Sequence, residues 1–201
     1  ESDRTTKVVG LIPARYHSSR FEGKPLAMIS GIPMIQRVYN QSMQSKSLAS
    51  VIVLTDNSDI YDFCLSMRMK CLIVNGDCFT GTDRCAKAIK DIEGDVFVNI
   101  QGDEPLINPE AIDKLVESHT LGSVSNAYVE LDFFSEKRHD NNVVKVVTDT
   151  YDNALYYSRL SIPYVQKEET IVKQQLGLYA FNREFLEIFS TLPVGDLEKS
   201  E

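Results

Sequence analysis

Four short apolar runs, each followed by residues with helical spacing, dominate the first part of the chain and leave few folds open. Residues 8–12, 51–54, 71–74 and 96–100 are almost uninterrupted in apolar side chains, as strands buried on both faces are. Between them Ile35, Val38 and Tyr39 recur at helical spacing, as do Ile60, Phe63, Cys64 and Met67, and then Cys85, Ala88, Ile89 and Ile92. Ser58 and Thr82 are placed to cap two of these helices, and Pro109 opens another in its first turn. Strand and helix alternate in this way over residues 7–119. The pattern predicts an α/β fold with a mostly parallel central sheet and helices on both faces. Beyond it, residues 143–147, 154–157 and 176–181 read as further strands, a mixed extension of the sheet. No linker, repeat or low-complexity stretch divides the chain, so residues 1–201 are read as a single domain.

Open parallel sheets take ligands at the carboxyl ends of their strands. Three polar segments fall there: residues 13–25, Thr55-Asp56, and Gln101-Gly102-Asp103-Glu104-Pro105. The net charge of −8 disfavours a general nucleic-acid binder, and no apolar run is long enough to insert in a membrane. Cys64, Cys71, Cys78 and Cys85 are spaced seven apart without a C-x-x-C pair, and are expected to be free thiols. His119 keeps register with Ile112, Leu115 and Val116, at the edge of a buried helical stripe.

The first polar segment gathers Arg15, Arg20 and Lys24 against the global charge. Arginine forks and a compact ammonium suit phosphate oxygens. It is not a Walker A loop, since Pro25 follows Gly23-Lys24 where Ser or Thr is needed. Phe79-Thr80-Gly81-Thr82-Asp83-Arg84 joins a glycine, a helix N-terminus and an arginine, which suits a base or phosphate as well as a plain cap. Asp103, delivered after a strand, is placed either to hold Mg²⁺ on a nucleotide phosphate or to cap a turn before Pro105.

Taken together and in order, these segments resemble the Kdo (3-deoxy-manno-octulosonate) cytidylyltransferases. The likeness is carried by Leu11-Ile12-Pro13-Ala14-Arg15-Tyr16, Ser18-Ser19-Arg20-Phe21, Gly23-Lys24-Pro25-Leu26, Gly81-Thr82-Asp83-Arg84 and Val98-Asn99-Ile100-Gln101-Gly102-Asp103-Glu104-Pro105. It continues through Asn142-x-Val144-Lys145-Val146-Val147, Ala154-Leu155-Tyr156-Tyr157-Ser158-Arg159 and Leu176-Gly177-Leu178-Tyr179-Ala180. The resemblance implies a Rossmann-like nucleotidyltransferase fold and a homodimer that uses Mg²⁺ to join CTP and Kdo into CMP-Kdo, releasing pyrophosphate. By likeness Arg15, Arg20 and Lys24 hold the triphosphate, with Arg15, Lys24 and Asp103 the catalytic set. Gly81, Thr82 and Arg84 lie by the nucleotide, Asp103 holds the metal, and Gln101, Arg159, Gln175 and Tyr179 lie on the sugar side. Such an enzyme belongs in the cytoplasm, where CTP is, and serves lipopolysaccharide or capsule synthesis.

Three departures stand out. Glu22 replaces the family's proline before Gly-Lys, and its carboxylate would repel phosphate unless it points away. Gln174-Gln175 replaces an Arg-His pair, which keeps alive an acceptor such as the 8-amino analogue of Kdo. The family's later segment, with a second metal-binding Asp, has no match before Glu201. The chain is therefore expected to lack that segment, and a non-catalytic nucleotide-binding homologue is the remaining alternative.

Overall fold

The computed structural model describes residues 5–18, 21–119, 123–196 and 199. The backbone gathers into two compact units, one drawn from Glu1–Ser125 and Leu178–Glu201, the other Asn126–Gly177. The smaller unit interrupts the larger along the chain.

Unit 1 runs β1 (Val8–Pro13), the hairpin β2 (Met28–Ile29) and β3 (Ile32–Pro33), α1 (Met34–Ser42), β4 (Ser50–Thr55), α2 (Ser58–Ser66), β5 (Cys71–Ile73), α3 (Gly81–Ala88), β6 (Val96–Ile100) and α4 (Pro109–Ser118). Its central sheet is ordered β5-β4-β1-β6, all parallel. The last part of β10 (Val172–Asn182) closes it antiparallel to β6, with Leu178 opposite Ile100 and Asn182 opposite Val96. α5 (Arg183–Phe189) follows directly. The mostly parallel sheet with flanking helices is the fold expected from the sequence.

The core shows why the apolar runs are continuous. Val9, Leu11, Phe97 and Phe181 form one cluster with Cys85 and Ile89 of the α3 region and Leu186 of α5. Alternate strand residues point the other way, where α1 and α4 pack on each other with Ile35, Val38, Ile112 and Leu115 buried. A strand covered on both faces leaves little room for a polar side chain unless it finds a hydrogen-bond partner. Each such buried aliphatic or aromatic side chain contributes about 1.5–3 kcal/mol.

Local chemistry sets the element ends, and it corrects two expected caps. Asn57, not Ser58, caps α2, its Oδ1 accepting from the amides of Asp59 (2.8 Å) and Ile60 (3.1 Å). Thr80, not Thr82, caps α3. Its Oγ1 accepts from the Asp83 amide while the Asp83 carboxylate accepts from the Thr80 amide, a closed capping box. In both cases the residue chosen is the one whose backbone is still extended. α2 also stops earlier than its stripe implies, at Ser66, which leaves Met67 exposed, and Arg68 follows in the left-handed region at φ 56°. The β2–β3 turn places Ser30 and Gly31 both at positive φ, 49° and 78°, which matches the strand twist of a two-residue hairpin.

Unit 2 holds β7 (Val124–Leu131, most of which lies in it), β8 (Lys145–Thr148), β9 (Ala154–Ser158) and the first part of β10. β8 pairs antiparallel with both β9 and β10, and β7 pairs with β10. Like the short β2 and β3, β7 is a strand the sequence does not reveal; Ser, Asn and Glu interrupt its apolar residues and its burial is only partial. The four cysteines are free, Cys64 and Cys85 buried, Cys71 and Cys78 partly so. Burial pushes the Cys85 thiol well above its ordinary range.

Candidate active site

β1 and β6 are neighbours, yet the chain passes from β1 outward to β4 and β5 before it returns to β6. The winding direction therefore reverses between β1 and β6, and the crevice outside their carboxyl ends is the place for a ligand. Close packing builds that crevice around Pro13. A Cβ added at Gly102 would stand 2.9 Å from the Pro13 carbonyl oxygen, a backbone atom that cannot turn aside. A Cβ at Gly81 would stand 3.3 Å from the Pro13 ring. Glycine at these two positions brings the β6 loop and the N-terminus of α3 against the end of β1. Asn99, the one polar side chain of β6, donates to Thr82 Oγ1 at 3.2 Å and ties strand to helix.

The first loop turns back to the same place. The Gly23 amide donates to the Tyr16 carbonyl at 2.8 Å, and Gly23 sits at φ 68° before a short 3-10 turn, Lys24–Leu26, whose Pro25 is buried. This turn carries Lys24 to Asp103, 79 residues away in the chain, with Nζ 3.1 Å from Oδ2. Both side chains remain nearly half exposed, at 42% and 49%. An ion pair so exposed adds under about 1 kcal/mol to stability. It does, however, put an ammonium and a carboxylate side by side and open to solution. Arg15 is exposed at the root of the loop and Gln101 at the end of β6. Glu22, whose charge argues against phosphate, is paired with His17, Oε1 lying 2.8 Å from Nδ1. Arg20 lies outside the described residues.

Arg84 is placed differently from a ligand-facing arginine. It is 4% exposed, and its guanidinium donates to the Val74 carbonyl (2.8 Å) and to Asp56 Oδ2 (3.0 Å). It ties α3 to the ends of β4 and β5, so it shapes the crevice from behind. Tyr179 sits on β10 opposite Asn99 and packs against the core cluster, its ring stacked on Phe181 at 6.1 Å. In unit 2, Arg159 is exposed just beyond β9, with Nη1 donating to the Asn141 carbonyl at 3.1 Å. Gln175 lies on β10, its amide donating to the Val144 carbonyl at 2.9 Å and Nε2 to the Leu176 carbonyl at 2.7 Å. His119, at the end of α4, is held between Ser125 Oγ (2.8 Å) and Asn182 Oδ1 (2.5 Å), which accounts for it as a structural tie.

The donor set at Asp103 suits Mg²⁺. Among the described residues no three His, Cys, Asp or Glu side chains come together as a cage. Mg²⁺ needs one or two carboxylates and completes its shell with water and substrate phosphate, and an accessible carboxylate such as Asp103 meets that need. Asp83 is engaged by the capping box and Asp56 by the buried Arg84, whereas the partner of Asp103, Lys24, is itself exposed and leaves the carboxylate open to solution.

Comparison with known proteins agrees with this fold. The cytidylyltransferase family profile matches residues 9–201. A 3-deoxy-manno-octulosonate cytidylyltransferase of Desulfosudis oleivorans is 41% identical over 97% of this chain and 82% of its own length. An 8-amino-3,8-dideoxy-manno-octulosonate cytidylyltransferase of Shewanella halifaxensis is also 41% identical, over 95% of this chain and 81% of its own. Among solved structures, CMP:2-keto-3-deoxy-manno-octonic acid synthetase complexed with CTP superposes with a TM-score of 0.90 at 35% identity, covering 97% of this chain and 82% of that one. By profile, by sequence and by fold, the chain belongs to the cytidylyltransferase family.

Proposed function

We propose that this protein transfers CMP from CTP to Kdo, with release of pyrophosphate. The carrying observation is the 3.1 Å approach of Lys24 to Asp103 at the β1/β6 crevice, in a chain of this family. The anomeric hydroxyl oxygen of the sugar forms a bond to the α-phosphorus of CTP. The bond from that phosphorus to the bridging oxygen breaks, pyrophosphate leaves, and the hydroxyl proton passes to solvent. Arg15 and Lys24 hold the triphosphate and offset charge as it moves onto the leaving group. Gly81 and Thr82 present the start of α3 to the nucleotide, and Arg84 holds that helix in place. Arg20 completes the phosphate cations by its place in the sequence. Asp103 would hold Mg²⁺, which supplies charge neutralisation on the α-phosphate and the pyrophosphate. By the family likeness, Gln101, Arg159 and Gln175 are assigned to the acidic sugar; Tyr179 is assigned there by the same likeness, although its ring packs against the core.

One observation favours a second acceptor. Gln175 offers a neutral amide on the sugar side, and relatives equally similar to this chain carry the 8-amino name. We place the enzyme in the cytoplasm, where CTP is, as a homodimer in lipopolysaccharide or capsule synthesis, on the strength of the family likeness. Pyrophosphate release from CTP and Mg²⁺ tests the reaction, with Kdo and its 8-amino analogue as competing acceptors and the protein expressed from its whole reading frame. Kdo-dependent release, lost in Asp103→Ala, is the expected result. Preference for the amino sugar would move the assignment to the second acceptor. CTP binding without release toward either sugar would overturn it and leave a nucleotide-binding role.

A further inference from the structure

Lys145 is the least solvent-exposed charged side chain in unit 2. It has no exposed surface and no carboxylate within ion-pairing distance among the described residues. Its ammonium instead gives its hydrogens to three backbone carbonyls, those of Asp140 (2.8 Å), Val143 (2.8 Å) and Arg159 (2.6 Å). A lysine has three donors, so its capacity is filled. Taking a cation wholly out of water is costly unless its partners are well placed. Burial accordingly pushes its pKa down, with Asp140 opposing that shift and Arg159 adding to it.

What these carbonyls have in common is position. Lys145 pairs across the sheet with Ser158 on β9 and with Gln174 on β10. The residues that follow these partners are Arg159 and Gln175, the two side chains of unit 2 assigned to the sugar. Arg159 is held at both ends by the segment that Lys145 organises. Its carbonyl accepts from Lys145, and its guanidinium donates to the carbonyl of Asn141, which lies between the other two acceptors. The Gln175 amide donates to the carbonyl of Val144, the residue before Lys145.

We infer that Lys145 is a positioning residue for the sugar acceptor, fixing the 140–143 turn and the Arg159 backbone so that the exposed Arg159 guanidinium meets the sugar's carboxylate. This rests on the sugar-side reading of Arg159 given above. Lys145 touches neither substrate in this assignment and acts through Arg159.

Steady-state kinetics with each substrate varied tests it, first in the unaltered protein and in Arg159→Ala, then in Lys145→Met and the double variant. Lys145→Met is expected to raise the sugar KM about tenfold, on the scale of a lost charged hydrogen bond, while the CTP KM stays within about twofold. In the Arg159→Ala background the same substitution should add little, since the residue it positions is gone. Lys145→Arg keeps the charge but cannot match three carbonyls at lysine's spacing, and it should show the same selective rise. It carries the test where Lys145→Met does not fold. Absence of sugar-dependent release in the unaltered protein would break the functional reading itself. An unchanged sugar KM in Arg159→Ala would break the role of Arg159, and the inference with it. A rise in both KM values, a full additional loss in the double variant, or failure of both Lys145 variants to fold would overturn the positioning role alone and leave Lys145 as a stabilising residue.

Discussion

In unit 1 the side chains shut away from solvent are Val9, Leu11, Ile12, Phe97 and Ile100, while in unit 2 the largest are Arg138 and Lys145. Val146 and Val172 are the buried apolar side chains among the described residues of unit 2. Arg138 gives Nη1 to the Phe133 carbonyl at 2.9 Å and lies 4.8 Å over the Phe133 ring. A short segment has too little interior to build a large apolar core. Unit 2 answers this by letting long cations cover the interior with their stems and tie loops together with their heads. The two solutions differ in what they control. Apolar packing holds elements together without choosing a direction, whereas hydrogen bonds from a fixed cation set the position of particular carbonyls. Unit 1 accordingly reads as a frame held by apolar packing, and unit 2 as one held by directed hydrogen bonds.

The contrast can be broken most severely at Phe97, which packs against Gly94 and lies under the Arg183 guanidinium. Phe97→Ala should cost about 3–5 kcal/mol in denaturant unfolding, and a loss under 1 kcal/mol would deny unit 1 its role as frame. Gly102→Ala probes the packing of the site. Its Cβ would meet the Pro13 carbonyl oxygen, so Asp103 must shift, and kcat/KM is expected to fall about a hundredfold with little change in fold by circular dichroism. A smaller effect is expected at Arg68, which ends α2 at positive φ. Arg68→Gly removes that strain and should raise stability by about 1 kcal/mol, read as a higher Tm.

The smallest effect sharpens the comparison from the side of unit 2. The Asn153 side chain donates to Asp149 Oδ2, and the amides of Asn153 and Tyr151 donate to Oδ1; these bonds hold the Asp149 carboxyl below its ordinary range. A carboxylate stabilised in the fold contributes fully above the unfolded value of about 3.9, and that contribution is lost as pH falls through the lower folded value. The amide shifts of Tyr151 and Asn153 should therefore move together below about pH 4. Asp149→Asn keeps an acceptor oxygen and should flatten that transition.

The readable part of the fold follows the same division. Of the four parallel strands, β1, β4 and β6 were legible because burial on both faces writes itself as a continuous apolar run, whereas β5, also read as buried, is an edge strand that is only partly covered, with Ile73 exposed. Asp103, Lys24 and Arg15 stood out because polar residues collect where such runs end. The caps were misplaced by one or two residues, since Asn57 and Ser58, or Thr80 and Thr82, offer equivalent oxygens and only the backbone decides which is used. β7 was not legible, because a partly buried strand need not alternate cleanly.

Sequence alone thus determined the elements of unit 1, the order of the polar loops and the family they resemble, because local periodicity and adjacent residues carry that information. Tertiary structure decided which cations meet which partners. Lys24 reaches Asp103 across the β1/β6 reversal, Arg84 turns inward to Val74 and Asp56, and Lys145 disappears among three carbonyls. A lysine or arginine has the same chemistry on the page wherever it stands. Its role depends on whether water or the returning chain solvates its charge, and that is settled only when distant segments come together.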